Sequence, residues 1–447
     1  MDDKARGMEA LGQLYPEIVS PPPGPRCRAL VERLARAESP AFTARRARRW
    51  EATGAPQDPI VWTHARDCNV LDADQNRYVD LTGGFGVALG GHAHPAVLEA
   101  IGRQATSLIH ALGDLHPSDV KIALLERLTA LAPFEQARVV LSCTGSDAVE
   151  VALKTAALAT HRPGVLSFEG GYHGLGYGAL AVCGYQPAFR RPFAAQTNPH
   201  VRFAPWPSRD ADPGQALERV AAFLDDDIGA VIVEPIQGRA GVRIPPAGFL
   251  RGLGELARAR GAVLIADEIF TGLGRTGALF RSVEEGLCPD LLAIGKALGG
   301  GMPISACLGR AEVMAAWGAP EGEAIHTGTF FGHPLSCAAA LAILDRLTEE
   351  DWGSRARTLG ARLQQSLEEI DRERIVDVRA VGALVGIELE PPLSALAVCS
   401  RLLQQGFLTL PAGAHAETLQ LAPPLTMREE LMSAFAQALE RALRGDE

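Results

Sequence analysis

The chain has 447 residues, 47% hydrophobic and 21% charged, enough for two or three lobes built around large cores. A net charge of -10 argues against a nucleic-acid-binding surface, and no run approaches eighteen apolar residues, so a membrane-spanning helix is excluded. The 8 cysteines stand singly, without metal-ligand pairing or disulfide density, and the opening MDDKARGMEALGQ lacks the basic start and apolar core of an export signal; a reducing cytoplasm is the expected setting.

Residues 1 to about 60 read as a polar, proline-marked arm. The run Pro21-Pro22-Pro23-Gly24-Pro25 is expected to be neither helix nor central strand, and Cys27 to Ala37 reads as a short helix. Arg45, Arg46, Arg48 and Arg49 form the one dense basic cluster, either a solvated helix face or a contact with an acidic patch on a partner subunit. Val61 to Leu81 reads as a small antiparallel sheet with its tip at Asp74-Gln75-Asn76. The DADQN stretch opens like a calcium loop, but Arg77 stands where the glycine belongs and no closing glutamate follows, so calcium is rejected. His92 and His94 have no third ligand nearby and read as hydrogen-bonded loop histidines, which leaves no metal site. Pro95 then sets the first turn of a helix.

From about 120 to 310, helical and strand patterns alternate, which predicts one large α/β domain with a mostly parallel sheet covered by helices. Strands are expected at Val139 to Ser142, Gly164 to Phe168, Val201 to Phe203 and Ala230 to Val233. Helices are expected at Lys121 to Leu131, Ala148 to Ala159, Gln215 to Phe223 and Phe249 to Arg260. Beyond 335 two helices, Leu335 to Glu350 and Arg355 to Ile370, lead into an α+β lobe. Its strands are Val376 to Arg379, Leu384 to Leu389, Phe407 to Leu410 and Leu419 to Leu421, with helices at 394–405 and 428–444. The expected division is an N-terminal arm and small-domain segment at 1–80, a large domain at 81–335 and a C-terminal small domain at 336–447.

The chemistry gathers between Gly261 and Cys307. One apolar run, Ala262 to Ala266, ends in Asp267-Glu268; a second, Leu291 to Ile294, delivers Lys296 beside glycines. A buried acid and a buried amine each need a partner. A carboxylate at one strand end and an amine at the next suit pyridoxal phosphate, where the acid keeps the pyridine nitrogen protonated and the amine holds the aldehyde. The plain alternative is a buried ion pair between Asp267 and Lys296, an uncommon and costly arrangement. Gly145-Ser146, between a strand and a helix start, is either a phosphate cradle or an ordinary serine cap; Asp147 and Glu150 are expected to turn away from it. In Gly170-Gly171-Tyr172-His173-Gly174 the tyrosine either covers a heterocycle or merely packs. Gly272 to Gly277 matches GxGxxG in form only, because five residues separate it from the strand and no clear helix follows.

These motifs resemble those of the class III, or ω-type, pyridoxal-phosphate aminotransferases of fold-type I, over about Pro25 to Leu425. The resemblance implies a large sheet domain with helices on both faces and a small α+β domain built from both chain ends. It further implies Lys296 as the Schiff-base lysine and proton shuttle, Asp267 at the pyridine nitrogen, and Ile269 and Tyr172 on opposite ring faces. Gly145 and Ser146 would hold the phosphate, Gln237 would approach the phenolic oxygen, and His173 and Glu234 would complete the cofactor contacts. Thr329 resembles the threonine that reaches the phosphate from a neighbouring subunit, which implies a homodimer with active sites at the interface. The expected partners are an amino acid and a 2-oxo acid, with pyridoxal 5'-phosphate as cofactor and a pyridoxamine phosphate intermediate. Some members of the family instead racemise or epimerise amino acids with the same residues. The chain departs from the pattern at Phe331 and His333, where glycine and asparagine are usual, and at a carboxylate switch made of a glutamate and an arginine. Those two positions hold Arg239 and Gln420 here. Arg239 either faces solvent or another subunit, or has taken over recognition of a substrate carboxylate.

Overall fold

The computed structural model describes residues 11–54, 58–318, 323–368, 370 and 372–445. The export-signal reading therefore falls mostly outside the described residues. The chain forms two compact units, Pro95–Ser354 and a second one made of Met1–His94 with Arg355–Glu447.

The larger unit is built on seven strands: β1 (Ala137–Ser142), β2 (Gly164–Phe168), β3 (Val201–Ala204), β4 (Ile228–Val233), β5 (Val263–Asp267), β6 (Leu291–Ile294) and β7 (Ser305–Arg310). Their order across the sheet is β1-β7-β6-β5-β4-β2-β3. The pairs from β6 to β3 are parallel, while β7 runs antiparallel to both of its neighbours. Strands β2, β4, β5 and β6 are buried at every position, as parallel strands covered on both faces must be. On one face the helix Gly145–Thr160 packs Ala148, Val151, Ala152 and Ala156 against Ile232, Ile265, Ala293 and Cys307. Small side chains on that helix let it lie close to the sheet. On the other face, Phe249 of the helix Phe249–Ala259 meets Phe168 and Trp206 edge to face, with centroids 6.2 and 5.9 Å away.

Strand β7 is absent from the sequence-based expectations, because SACLGR carries serine, glycine and arginine in six residues and shows no apolar run. Its position in mid-sheet comes from pairing on both edges rather than from composition.

The smaller unit joins both chain ends. Trp62–Arg66, Asn69–Asp72 and Arg77–Asp80 form the expected antiparallel sheet, and Phe407–Leu408 adds a parallel fourth strand, Phe407 opposite Val79. A second sheet takes Ile375–Val381, Leu384–Leu389, Thr418–Leu421 and Leu410–Ala412 in that order. The acidic hairpin is consumed internally. Asp72 accepts from the Asp74 and Asn76 amides and from Tyr78 Oη, while Asp74 accepts from the Arg26 and Cys27 amides. Asp74 thus caps the helix Pro25–Ala37, which corrects one expectation: Pro25 is helical. A proline fits the first helical position because its missing N–H would have no partner there. His92 Nε2 lies 2.7 Å from Asp80 Oδ2, the hydrogen-bonded state expected of it. The basic cluster lies on the helix Pro40–Thr53, with Arg46 paired to Glu38 and Arg45 over the Phe42 ring. Among the described residues no helix is long and apolar enough to cross a membrane.

Candidate active site

Strands β5 and β6 run parallel with Asp267 opposite Ala293, so the carboxyl end of one lies beside the end of the other. That register brings Asp267 and, three residues past Ala293, Lys296 to one edge of the sheet, where open α/β sheets place their ligands. Lys296 follows Gly295 and itself has a φ of 43°, a left-handed conformation rare for a residue with a side chain. Strain of this kind survives where the surroundings enforce it, commonly at functional sites.

Asp267 is buried and does not pair with the lysine. Its Oδ2 lies 2.7 Å from His173 Nδ1, and its Oδ1 accepts from the Ile269 amide at 3.1 Å. Burial alone would depress the His173 imidazole; the hydrogen bond to Asp267 and the charges of Asp267 and Glu234 outweigh it and raise its pKa. The expected alternative, a buried ion pair between Asp267 and Lys296, is not formed: Asp267 bonds His173, 94 residues earlier in the chain.

The Lys296 amine lies 3.9 Å from the centroid of the Phe270 ring and has no hydrogen-bond or ion-pair partner among the described residues. Desolvation lowers its pKa to about 8, with the Asp267 and Glu234 charges pulling upward and Arg239 and Arg275 pushing down. An amine in that range is partly neutral near physiological pH, and so can act as nucleophile and base. Glu234 closes the cluster. Burial raises its carboxyl to about 7, and its Oε1 accepts from the Tyr172 amide at 2.8 Å.

The helix start beside β1 is shaped by glycines. A Cβ on Gly145 would come within 2.9 Å of Ile269 Cδ1, and one on Gly174, at φ 114°, within 2.8 Å of Ser146. Ser146 Oγ accepts from the Gly176 amide at 2.9 Å. Asp147 bonds back to the Thr144 amide, and Glu150 accepts from the Gly178 and Ala179 amides at 2.7 and 3.1 Å. Both acids are spent on backbone groups, which reduces the repulsion they would exert on an anion.

Gln237 donates to the Glu169 carbonyl at 2.8 Å, while its buried Oε1 has no hydrogen-bond partner among the described residues. Arg239 sits in the same turn, whose Val242 also has positive φ, 55°. Its guanidinium carbon is 4.7 Å from the Tyr172 ring centroid and 5.1 Å from that of Tyr185. Arg239 thus does not simply face solvent. Thr329 is exposed, and among the described residues it makes no hydrogen bond to any of this group.

Comparison with known proteins gives the family. The sequence profile described as Aminotransferase class-III spans residues 51–443. The chain belongs to the class-III aminotransferase family. It is 39% identical to the acetylornithine aminotransferase of Mycolicibacterium smegmatis over 88% of this chain and 97% of that protein. It is 30% identical to the alanine/serine racemase of Pyrococcus horikoshii over 98% of this chain and 94% of that one. Among solved structures it is similar to an amine transaminase from an uncultivated Pseudomonas species in its PLP-bound (internal aldimine) form, with a TM-score of 0.81 and 30% identity. That match covers 88% of this chain and 96% of the other.

This class-III aminotransferase is an enzyme of fold-type I, and its cofactor is pyridoxal 5'-phosphate. The residues fit that group. An amine without a hydrogen-bond or ion-pair partner among the described residues, a buried acid–imidazole pair, the Gln237 side-chain amide and a glycine-lined helix start offer chemistry suited to an aldehyde, a ring nitrogen, a phenolic oxygen and a phosphate. Two neighbours are missing from the sequence-based site of the class-III aminotransferase, Phe270 under the amine and Tyr185 beside Arg239. Tyr185 has a sequence signal: Gly184-Tyr185 repeats the glycine–tyrosine step of Gly171-Tyr172 in the same glycine-rich segment.

Proposed function

We propose that this class-III aminotransferase exchanges amino groups between α-amino acids and 2-oxo acids, with Lys296 holding the cofactor and moving the substrate proton. The observation that carries the reading is the Lys296 amine, left unpartnered beside Asp267 and Glu234 and lowered to about 8. Bound pyridoxal phosphate supplies an aldehyde that takes up the amino group and a cationic ring that draws electrons from the substrate carbon. Asp267, clamped by His173 and the Ile269 amide, holds the negative charge that keeps that ring protonated. Lys296 Nζ would take the α-proton from the amino acid and, in the exchange with the 2-oxo acid, would give a proton back. The Gln237 side-chain amide would serve the cofactor's phenolic side, Gly145 and Ser146 its phosphate, and Ile269 and Tyr172 its ring faces. Arg239 receives the substrate carboxylate.

The likeness to an alanine/serine racemase supports a second reading, in which the proton returns to the same carbon. Incubating single enantiomers of alanine in deuterated water without any oxo acid separates the two. The transaminase is expected to release one equivalent of pyruvate per site and stop. Repeated inversion with α-deuteration would replace it with the racemase.

We further propose a homodimer, with Thr329 reaching the site of a second copy. An apolar surface near Thr329 supports it: Ile109, Leu112, Leu115, Ile325 and Phe330 lie between 48% and 75% exposed. The His110 ring packs 5.4 Å from Phe330, which joins the two segments into one patch. Sedimentation is expected to give twice the chain mass at micromolar concentration; a fully active monomer would remove the proposal.

A further inference from the structure

Arg239 presents an unusual combination. Its Nε is buried, and among the described residues its guanidinium makes no hydrogen bond or ion pair. It is instead held by two rings. Tyr172 and Tyr185 stand at 89° to one another with centroids 6.2 Å apart, and the guanidinium occupies the corner between them. The side chain is half-buried: Nε is shut off from water, and the guanidinium has no counter-ion among the described residues, an arrangement that leaves part of its hydration lost. The ring faces recover part of that loss, and an anionic ligand would recover the rest.

We infer that Tyr172 and Tyr185 fix Arg239 as a rigid receptor for the substrate carboxylate, so that both half-reactions are restricted to substrates carrying an α-carboxylate. The inference rests on the reading of Arg239 as carboxylate receptor and adds Tyr185 as its positioning residue. A guanidinium free to swing would have to be ordered at each binding event; one already seated in an aromatic corner loses little freedom when its fork closes on a carboxylate. The same rigidity works against a substrate without that group, because the receptor cannot withdraw and its charge stays uncompensated. The Tyr172 amide also donates to Glu234, so the corner is anchored to the cluster that faces Lys296.

The test uses the holoenzyme and Y185A, Y185F, Y185L and R239A, with propionate as a non-reacting carboxylate followed by calorimetry. Y185A is expected to weaken propionate about tenfold and to raise KM for alanine and for 2-oxo acids by about the same factor, with kcat nearly unchanged. Turnover of 1-phenylethylamine, which has no carboxylate, is expected to rise above its low parental kcat/KM in Y185A, because the loosened Arg239 can then withdraw. Y185F keeps the ring face and restores affinity; Y185L keeps apolar bulk without the face and does not, which covers the case of a poorly folded Y185A. If R239A weakens propionate while Y185A and Y185L leave it unchanged, the aromatic corner is overturned. If R239A itself binds propionate like the parent, the carboxylate-receptor reading falls with it.

Discussion

Lys296→Ala loses at least ~10³-fold in turnover, the size of effect expected when a positioned general base is deleted. The amine it removes is the partly neutral one, lowered to about 8 by desolvation against the upward pull of Asp267 and Glu234. Cofactor binding is expected to survive in part, because the cradle around Ser146 and the Asp267–His173 pair are untouched. Borohydride reduction should attach cofactor mass to the parent protein and none to the variant, and added methylamine should restore some rate. Turnover close to the parent's would remove Lys296 from the reaction.

Asp267→Asn has the second-largest effect, on the order of 10²–10³-fold in kcat, since it deletes a preorganised charge without changing shape. Its signature lies in His173. In the parent, Asp267 and Glu234 overcome burial and hold the imidazole above its usual range. With the Asp267 charge gone, burial prevails and the midpoint falls, so the imidazole is neutral over pH values at which it had been protonated. Histidine resonances followed by NMR against pH would report that shift. A D267N protein with unaltered His173 titration would mean that the two groups do not share a proton balance.

Much of this was legible because burial leaves a mark on composition. Strands β5 and β6 are uninterrupted apolar runs, and an acid or lysine closing such a run needs a chemical reason. The partner of the acid was less legible: His173 is 94 residues away, and only the folded sheet brings it to Asp267. Strand β7 hides for a different reason. Its residues are ordinary, and its place is set by hydrogen bonds to β1 and β6 that no local pattern encodes. Arg239 could be singled out as a departure from the family pattern, but the corner that holds it depends on Tyr185, whose one signal is the glycine–tyrosine step it shares with Tyr172.

The reversed strand β7 also orders events during synthesis. Strand β1 pairs with β7 and with no other strand among the described residues, and Ser305 at the start of β7 bonds the Thr144 carbonyl 161 residues earlier. On a ribosome, β2 to β6 can associate as they emerge, each parallel partner following within the next few elements. β1 has to wait. Closing so long a loop is slow relative to local pairing, so β1 is expected to join the sheet late, after Asp267 and Lys296 have already emerged. A nascent chain is therefore expected to hold the strands that carry Asp267 and Lys296 before β1 completes the sheet.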